Sequence, residues 1–210
     1  MHVVVINGSP RQNGNTAIAL EWMVEELQQE GITTETIQIG DRVIRGCVAC
    51  ERCAASQDNL CAFNDDGIND LIIKLRQTDG CIIGSPTYFY GMAGTLKCAM
   101  DRMFYAGRRN GAYRNKVGAA VAAVRRNGGH DVFNQLITYY LAAEMVIAPA
   151  RSQGVGFGRK KGEIRQDAEG QQAIRHHARA MAWILKMKEA SKDSIALPRG
   201  EERIMMNFIR

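Results

Sequence analysis

Val3-Val4-Val5-Ile6 is an uninterrupted apolar, β-branched run that stops at Asn7-Gly8. Consecutive apolar positions suit a strand covered on both faces, so the run predicts a strand inside a parallel sheet. Leu20, Met23, Val24 and Leu27 then recur at helical spacing, with Glu21, Glu25, Glu26 and Gln28 on the other face and Gly31 as the stop. Thr33 to Ile39 reads as a second strand, more polar and so nearer an edge. After a long cysteine-bearing loop, Asp65 and Asp66 precede a helix with Ile68, Leu71, Ile72 and Leu75 on one side. Thr78-Asp79-Gly80 leads into a third strand, Cys81 to Gly84. Leu96, Met100, Met103 and Phe104 mark a helix, Val117 to Val124 a fourth strand, and Val132, Leu136, Tyr139 and Tyr140 a further helix. Met145 to Ala148 makes a fifth strand, and Ile174, Ala178, Met181 and Leu185 line the last helix.

Strands alternating with helices, without internal repeats, predict one doubly wound α/β domain over residues 1–190, with helices on both faces of a five-stranded parallel sheet. Residues 191–210 turn polar, with Pro198 and Gly200, and are expected to form a flexible or partner-bound tail. Ligands of such sheets sit outside the carboxyl ends of the strands, which directs attention to the loops after strands 1, 3 and 4.

Composition narrows the classes. In 210 residues, 46% are apolar and 23% charged, near the values of globular proteins, which excludes a disordered or collagenous chain. Six cysteines are too sparse for a disulfide scaffold, and the N-terminal apolar run is too short for a secretory signal, so a cytoplasmic setting is expected. No apolar stretch approaches the roughly 18 residues of a membrane span. The net charge of +5 comes from basic pairs scattered without interleaved aromatics, so an anionic small ligand is expected rather than nucleic acid.

The first loop, Gly8-Ser9-Pro10-Arg11-Gln12-Asn13-Gly14-Asn15-Thr16, runs directly into a helix. Unpaired N–H groups and the positive end of the helix dipole suit a phosphate there, with Ser9, Asn13, Asn15, Thr16 and Arg11 as added donors. An ordinary polar turn capped by Asn15 or Thr16 is the alternative. The P-loop spacing and the G-x-G-x-x-G fingerprint both fail to fit, which disfavours triphosphate hydrolysis and a dinucleotide site. After strand 3, Ser85-Pro86-Thr87-Tyr88-Phe89-Tyr90-Gly91 places three adjacent aromatics at the ligand edge. They suit a planar ring, and with a phosphate loop beside them that means a flavin mononucleotide; the alternative is that Tyr88 and Phe89 plug the core. Arg125-Arg126-Asn127-Gly128-Gly129 forms a cationic turn, either facing the ring edge or simply solvated. Gly154-x-Gly156-x-Gly158 has no strand leading into it and is expected to be a mobile loop. His176 and His177, adjacent on a helix, point to different sides and make no shared metal site.

Together these segments, with Asp65-Asp66, Leu96-Lys97 and Asp101-Arg102, resemble the flavodoxin-like NAD(P)H-dependent FMN reductases and the related iron-sulfur flavoproteins over roughly residues 1 to 185. The resemblance implies a flavodoxin-like sheet ordered 2-1-3-4-5, with FMN bound non-covalently and its phosphate on Ser9, Arg11, Asn15 and Thr16, with Asn13 and Gly14 in the same loop. The ring would lie against Pro86, Thr87, Tyr88, Phe89, Tyr90 and Gly91, with Arg125, Arg126 and Gly128 nearby. It also implies a homodimer or homotetramer with FMN near the subunit interface. The expected activity is hydride transfer from NAD(P)H to the flavin, and on to a small acceptor such as a quinone, free flavin, metal ion or nitro compound. The flavin carries that chemistry, so no side chain is assigned as a catalytic acid or base.

Cys47-x2-Cys50-x2-Cys53-x7-Cys61 is the second chemical signal. Four thiols so arranged suit a [4Fe-4S] cluster, but the ferredoxin run places its fourth cysteine three residues on and before proline, whereas Cys61 follows seven residues and precedes Ala62. Structural zinc and free thiols are the alternatives. Ala54 to Leu60 has no feature that would fix a fourth ligand, so the sequence favours a flavin-only enzyme. An iron-sulfur electron carrier and a flavin-binding interaction protein without turnover are the rival readings.

Overall fold

The structure is a computed structural model that describes residues 1–201 and 204. In chain order its elements are β1 (His2–Asn7), α1 (Asn15–Gln29), β2 (Thr33–Gln38), the single turn α2 (Arg52–Ala55), α3 (Ile68–Gln77) and β3 (Gly80–Tyr88). There follow β4 (Gly91–Met92), α4 (Gly94–Gly107), β5 (Val117–Val124), α5 (Gly129–Ala142), β6 (Val146–Ile147), β7 (Val155–Phe157) and α6 (Ala168–Ser191). Part of the expected tail, residues 202, 203 and 205–210, lies outside the described residues.

The main path of the sheet is β2-β1-β3-β5-β6, all parallel. Counted among themselves, the five strands expected from the sequence therefore stand in the flavodoxin-like order. Two additions change the sheet: β4 pairs antiparallel with the end of β3, and β7 pairs with β5. The third strand runs to Tyr88 rather than Gly84, because its pairing with β5 continues to Pro86↔Ala123 and then turns back as the β3–β4 hairpin. The segment around Gly156, expected to be mobile, is ordered as β7 by its register with Ala122, Ala123 and Val124.

The fifth position of the sheet is thus shared. β6 covers Val117 and Gly118, and β7 covers Ala122 to Val124. Between them, on the edge away from β3, β5 has no strand neighbour among the described residues, and the Ala120 N–H instead donates to Nε2 of His177 on α6 at 3.2 Å. The other ring nitrogen, Nδ1, lies 3.1 Å from the Pro149 carbonyl, an acceptor, which fixes the tautomer with the proton on Nδ1. Burial lowers the His177 pKa to about 4.

Alternate residues of the central strands face two apolar layers. Val4, Ile6, Ile83 and Ala122 pack with α3, α4 and α5, whereas Val3, Val5, Ile82 and Val121 pack with α1 and α6. Apolar side chains therefore cover both faces of β1, β5 and the first part of β3, and apart from His177 under β5 and Arg102 on α4 the polar groups lie mainly at the strand ends and loops.

Candidate functional site

The carboxyl ends of β1, β3, β5 and β7 open onto one cleft of about 250 Å³. The first loop contributes Ser9, Arg11, Gly14, Asn15 and Thr16, and the end of β3 contributes Pro86, Thr87 and Tyr88. Ala123 and Arg125 come from the end of β5, and Gly158 and Arg159 from the exit of β7. Among the described residues three arginines and no carboxylate line it, a charge balance that suits an anion.

The first loop is held by its own backbone. Ser9 N–H donates to Asn7 Oδ1 at 3.0 Å, Arg11 N–H to Ser9 Oγ at 3.1 Å, and Gly8 N–H to the Gly84 carbonyl at 2.9 Å. From β2, Gln38 Nε2 donates to the Ser9 carbonyl at 2.6 Å. Gly40 presses so close behind the loop that a Cβ there would sit 2.3 Å from the Ser9 carbonyl carbon. The N-cap of α1 is Gly14, which has no side-chain acceptor to spend on the first-turn N–H groups beside the buried Thr16. Across the cleft the Thr87 hydroxyl is buried with no hydrogen-bond partner among the described residues. A buried hydroxyl without a partner is costly, and its position in the wall marks a place for a polar ligand.

Not all the expected residues meet here. Asn13 lines a neighbouring groove with Asn7, Gln12 and Gln38. Phe89 and Tyr90 form the tip of the β3–β4 hairpin, where Tyr88 pairs with Gly91 and both aromatics hold left-handed φ angles of 46° and 65°. Phe89 is fully exposed, so it plugs no core, and Gly128 packs against Tyr90 at the base of the tip. Arg126 is exposed and does not line the cleft. The Asn15 side chain is committed elsewhere: its amide donates to the carbonyls of Gly158 and Lys160, both at 3.0 Å, and accepts from Gly162 N–H at 2.9 Å. Glu163 completes this latch by accepting from the N–H groups of Lys160 and Arg159, which hold its carboxyl below the usual range. Ala123, Gly158 and Arg159 are wall residues that sequence reasoning missed, although the glycine spacing around Gly156 was the visible signal for the last two.

The four cysteines border one space. Cys47, Cys50, Cys53 and Cys61 all line one small void of about 20 Å³ between their loop and α4. Ala49 and Glu51 adopt left-handed φ angles of 53° and 58°, folding the Cys47–Cys53 segment back on itself. Burial pushes the Cys53 thiol up, and the Arg109 guanidinium pulls against it. Cys81 is separate, buried in β3 beside Tyr140, with its pKa raised by burial. Among the described residues no three His, Cys, Asp or Glu side chains are already gathered as a metal-ligand set. By donor chemistry the four thiols around one void nevertheless suit an iron-sulfur centre.

A family model of NADPH-dependent FMN reductases matches residues 1–159. The chain belongs to that family. This FMN reductase relative is 33% identical over 194 residues to an iron-sulfur flavoprotein of Methanocaldococcus jannaschii, covering 89% of this chain and 98% of that one. It is 28% identical to an iron-sulfur flavoprotein of Methanosarcina thermophila, covering 92% of this chain and all of the other. In fold it is similar to the crystal structure of RosB, with a TM-score of 0.71 at 15% identity over 100% of this chain and 94% of that chain. An archaeal flavodoxin superposes with a TM-score of 0.58 at 14% identity, over 89% of this chain and 99% of its own. The family member is therefore a flavodoxin-like flavoprotein, and no helix among its described residues is long and apolar enough to cross a membrane.

Proposed function

We propose that the cleft binds FMN and that the protein is an oxidoreductase taking hydride from NAD(P)H and passing electrons to a small acceptor. The observation that carries this reading is the unpartnered, buried Thr87 hydroxyl in a wall that also holds three arginines and no carboxylate. Ser9, Arg11, Thr16, Arg159 and the first-turn N–H groups of α1 would hold the phosphate, where charge-assisted donors converge on a dianion. Asn15 supports that site through the loop it latches rather than by its own amide. Pro86, Thr87 and Tyr88 would flank the ring, and Arg125 would place positive charge at its edge. When bound, FMN supplies a hydride acceptor that can release electrons singly or in pairs. Addition of NADPH or NADH to FMN-loaded protein under anaerobic conditions should bleach the flavin band; protein that binds FMN tightly and is not bleached by either would be a binding module instead.

The four cysteines around one void favour a second element, a [4Fe-4S] cluster held by Cys47, Cys50, Cys53 and Cys61 that would supply one-electron transfer. We favour it over the flavin-only expectation, since two of the relatives are iron-sulfur flavoproteins and the four cysteines line one void. Anaerobically prepared protein should contain about four iron and four sulfide per chain; protein free of iron would remove this element and leave the flavin reading intact.

A further inference from the structure

Cys61 is the thiol whose spacing departs from the ferredoxin run, and the structure shows what holds it. Its backbone is gripped from both sides by the side chain of Asn69 on α3: Cys61 N–H donates to Asn69 Oδ1 at 2.8 Å, and Asn69 Nδ2 donates to the Cys61 carbonyl at 2.9 Å. Its sulfur accepts a hydrogen bond from Nε of Arg102 on α4 at 3.2 Å. Arg102 is itself immobilised. Its guanidinium is fully buried, forms an ion pair with Asp66, and donates to the carbonyls of Arg45 at 3.1 Å and Phe63 at 2.8 Å. Its carbon centre also stands 5.6 Å from the Phe63 ring.

Every donor edge of this side chain is therefore assigned, and Nε is the edge turned to sulfur. A buried charge is expensive unless it is paired and hydrogen-bonded. Placing one on α4 to meet Cys61 is more than packing requires, since an aliphatic residue would fill a helix face without that cost. Arg102 lines the same void as the four thiols, so its N–H is directed at the sulfur from the wall of that void.

We propose that Asn69 and Arg102 are positioning residues for the cysteine centre: Asn69 fixes the backbone of the fourth thiol, and Arg102 fixes its sulfur and withdraws charge from it through an N–H···S bond. This rests on the cluster reading above and deepens it. Hydrogen bonds to ligand sulfurs are among the factors that set iron-sulfur potentials, and a cationic donor favours the reduced state, which carries one more negative charge.

Two variants test it, with one readout in metal-free protein and one in anaerobically reconstituted protein. In metal-free protein, iodoacetamide labelling followed by peptide mass mapping should modify Cys61 at least tenfold faster in Asn69→Ala than in the wild type, with the exposed Cys47 unchanged. In reconstituted Arg102→Lys, which keeps the charge but cannot reproduce the guanidinium fork, iron content should persist while the reduction equilibrium falls about tenfold, or 59 mV for one electron. Labelling of Cys61 unchanged by Asn69→Ala, or a potential unchanged in iron-replete Arg102→Lys, would overturn the proposal. Wild-type protein lacking iron after anaerobic preparation would instead overturn the cluster reading, and the labelling arm would still decide whether the clamp holds Cys61.

Discussion

The side-chain amide of Asn15 donates to the carbonyl of Gly158, 3.0 Å away and 143 positions later in the chain. That contact carries Arg159 into a cleft whose other walls come from the first loop and the ends of β3 and β5. Arg159→Ala should therefore weaken FMN by about 1.5 to 3 kcal/mol, the worth of a hydrogen bond to a charged group. Riboflavin, which lacks the phosphate, should lose much less. Parallel fluorescence titrations with the two ligands check this, and equal losses for both would show that Arg159 does not meet the phosphate.

Gly40 gives a second, purely steric test. A methyl group there would lie within 2.3 Å of the Ser9 backbone, a contact that only movement of the first loop can relieve. Gly40→Ala should lower thermal stability by several degrees, since a destabilisation of about 1 kcal/mol shifts Tm by roughly 2 to 4 °C in a chain of this size. It should also weaken FMN binding, because the loop it displaces is the one proposed to hold the phosphate. A Tm and an FMN affinity both equal to the wild type would contradict the geometry.

His177 predicts acid lability with a definite sign. Its pKa is about 4 in the folded chain against an ordinary value of 6.5, so the unfolded chain binds the extra proton first as pH falls. Stability should be unaffected above about pH 6.5 and should decline between there and pH 4, by about 3 kcal/mol at most from this group. Protonation also removes the acceptor for Ala120 N–H, so the loss is felt in the middle of β5. Urea midpoints measured from pH 8 to pH 4 should fall more steeply for the wild type than for His177→Gln.

The hairpin tip predicts an assembly. Phe89 and Tyr90 hold left-handed backbone angles that aromatic residues rarely adopt, while Phe89 is fully exposed. A two-residue turn of this kind favours Asn-Gly. Replacing Phe89 and Tyr90 with Asn and Gly should raise the stability of the isolated chain by about 1 kcal/mol. If a second copy covers the aromatic tip in a homodimer or homotetramer, the same change should shift light-scattering mass toward the monomer. A wild type already at monomer mass with FMN bound would exclude that role.

Much of this fold is written in local pattern. The apolar run at Val3 to Ile6, the helical spacing through Leu27 and the run from Val117 to Val124 announce buried strands and an amphipathic helix, and the loop from Ser9 to Thr16 announces one wall of the cleft. What stays hidden depends on partners far along the chain. β7 has three residues and no periodicity of its own; only its register with Ala122 to Val124 makes it a strand and Arg159 a wall residue. The grip on Cys61 comes from Asn69, eight positions away, and Arg102, 41 positions away, on helices whose surface patterns say nothing of a sulfur between them. Conversely, Asn13 and Asn15 look alike as donors in the sequence, yet one faces a neighbouring groove and the other spends its amide on the chain itself.

A cleft assembled from four segments, at residues 9–16, 86–88, 123–125 and 158–159, has no counterpart in the unfolded chain. A ligand that touches all four therefore behaves like a removable cross-link, and its binding free energy is transferred to folding by mass action. At a free concentration one hundred times its dissociation constant, the gain is about 2.7 kcal/mol. Cells short of the cofactor would thus hold a larger unfolded fraction of this protein for proteases to reach, so its abundance would follow cofactor supply even at constant synthesis.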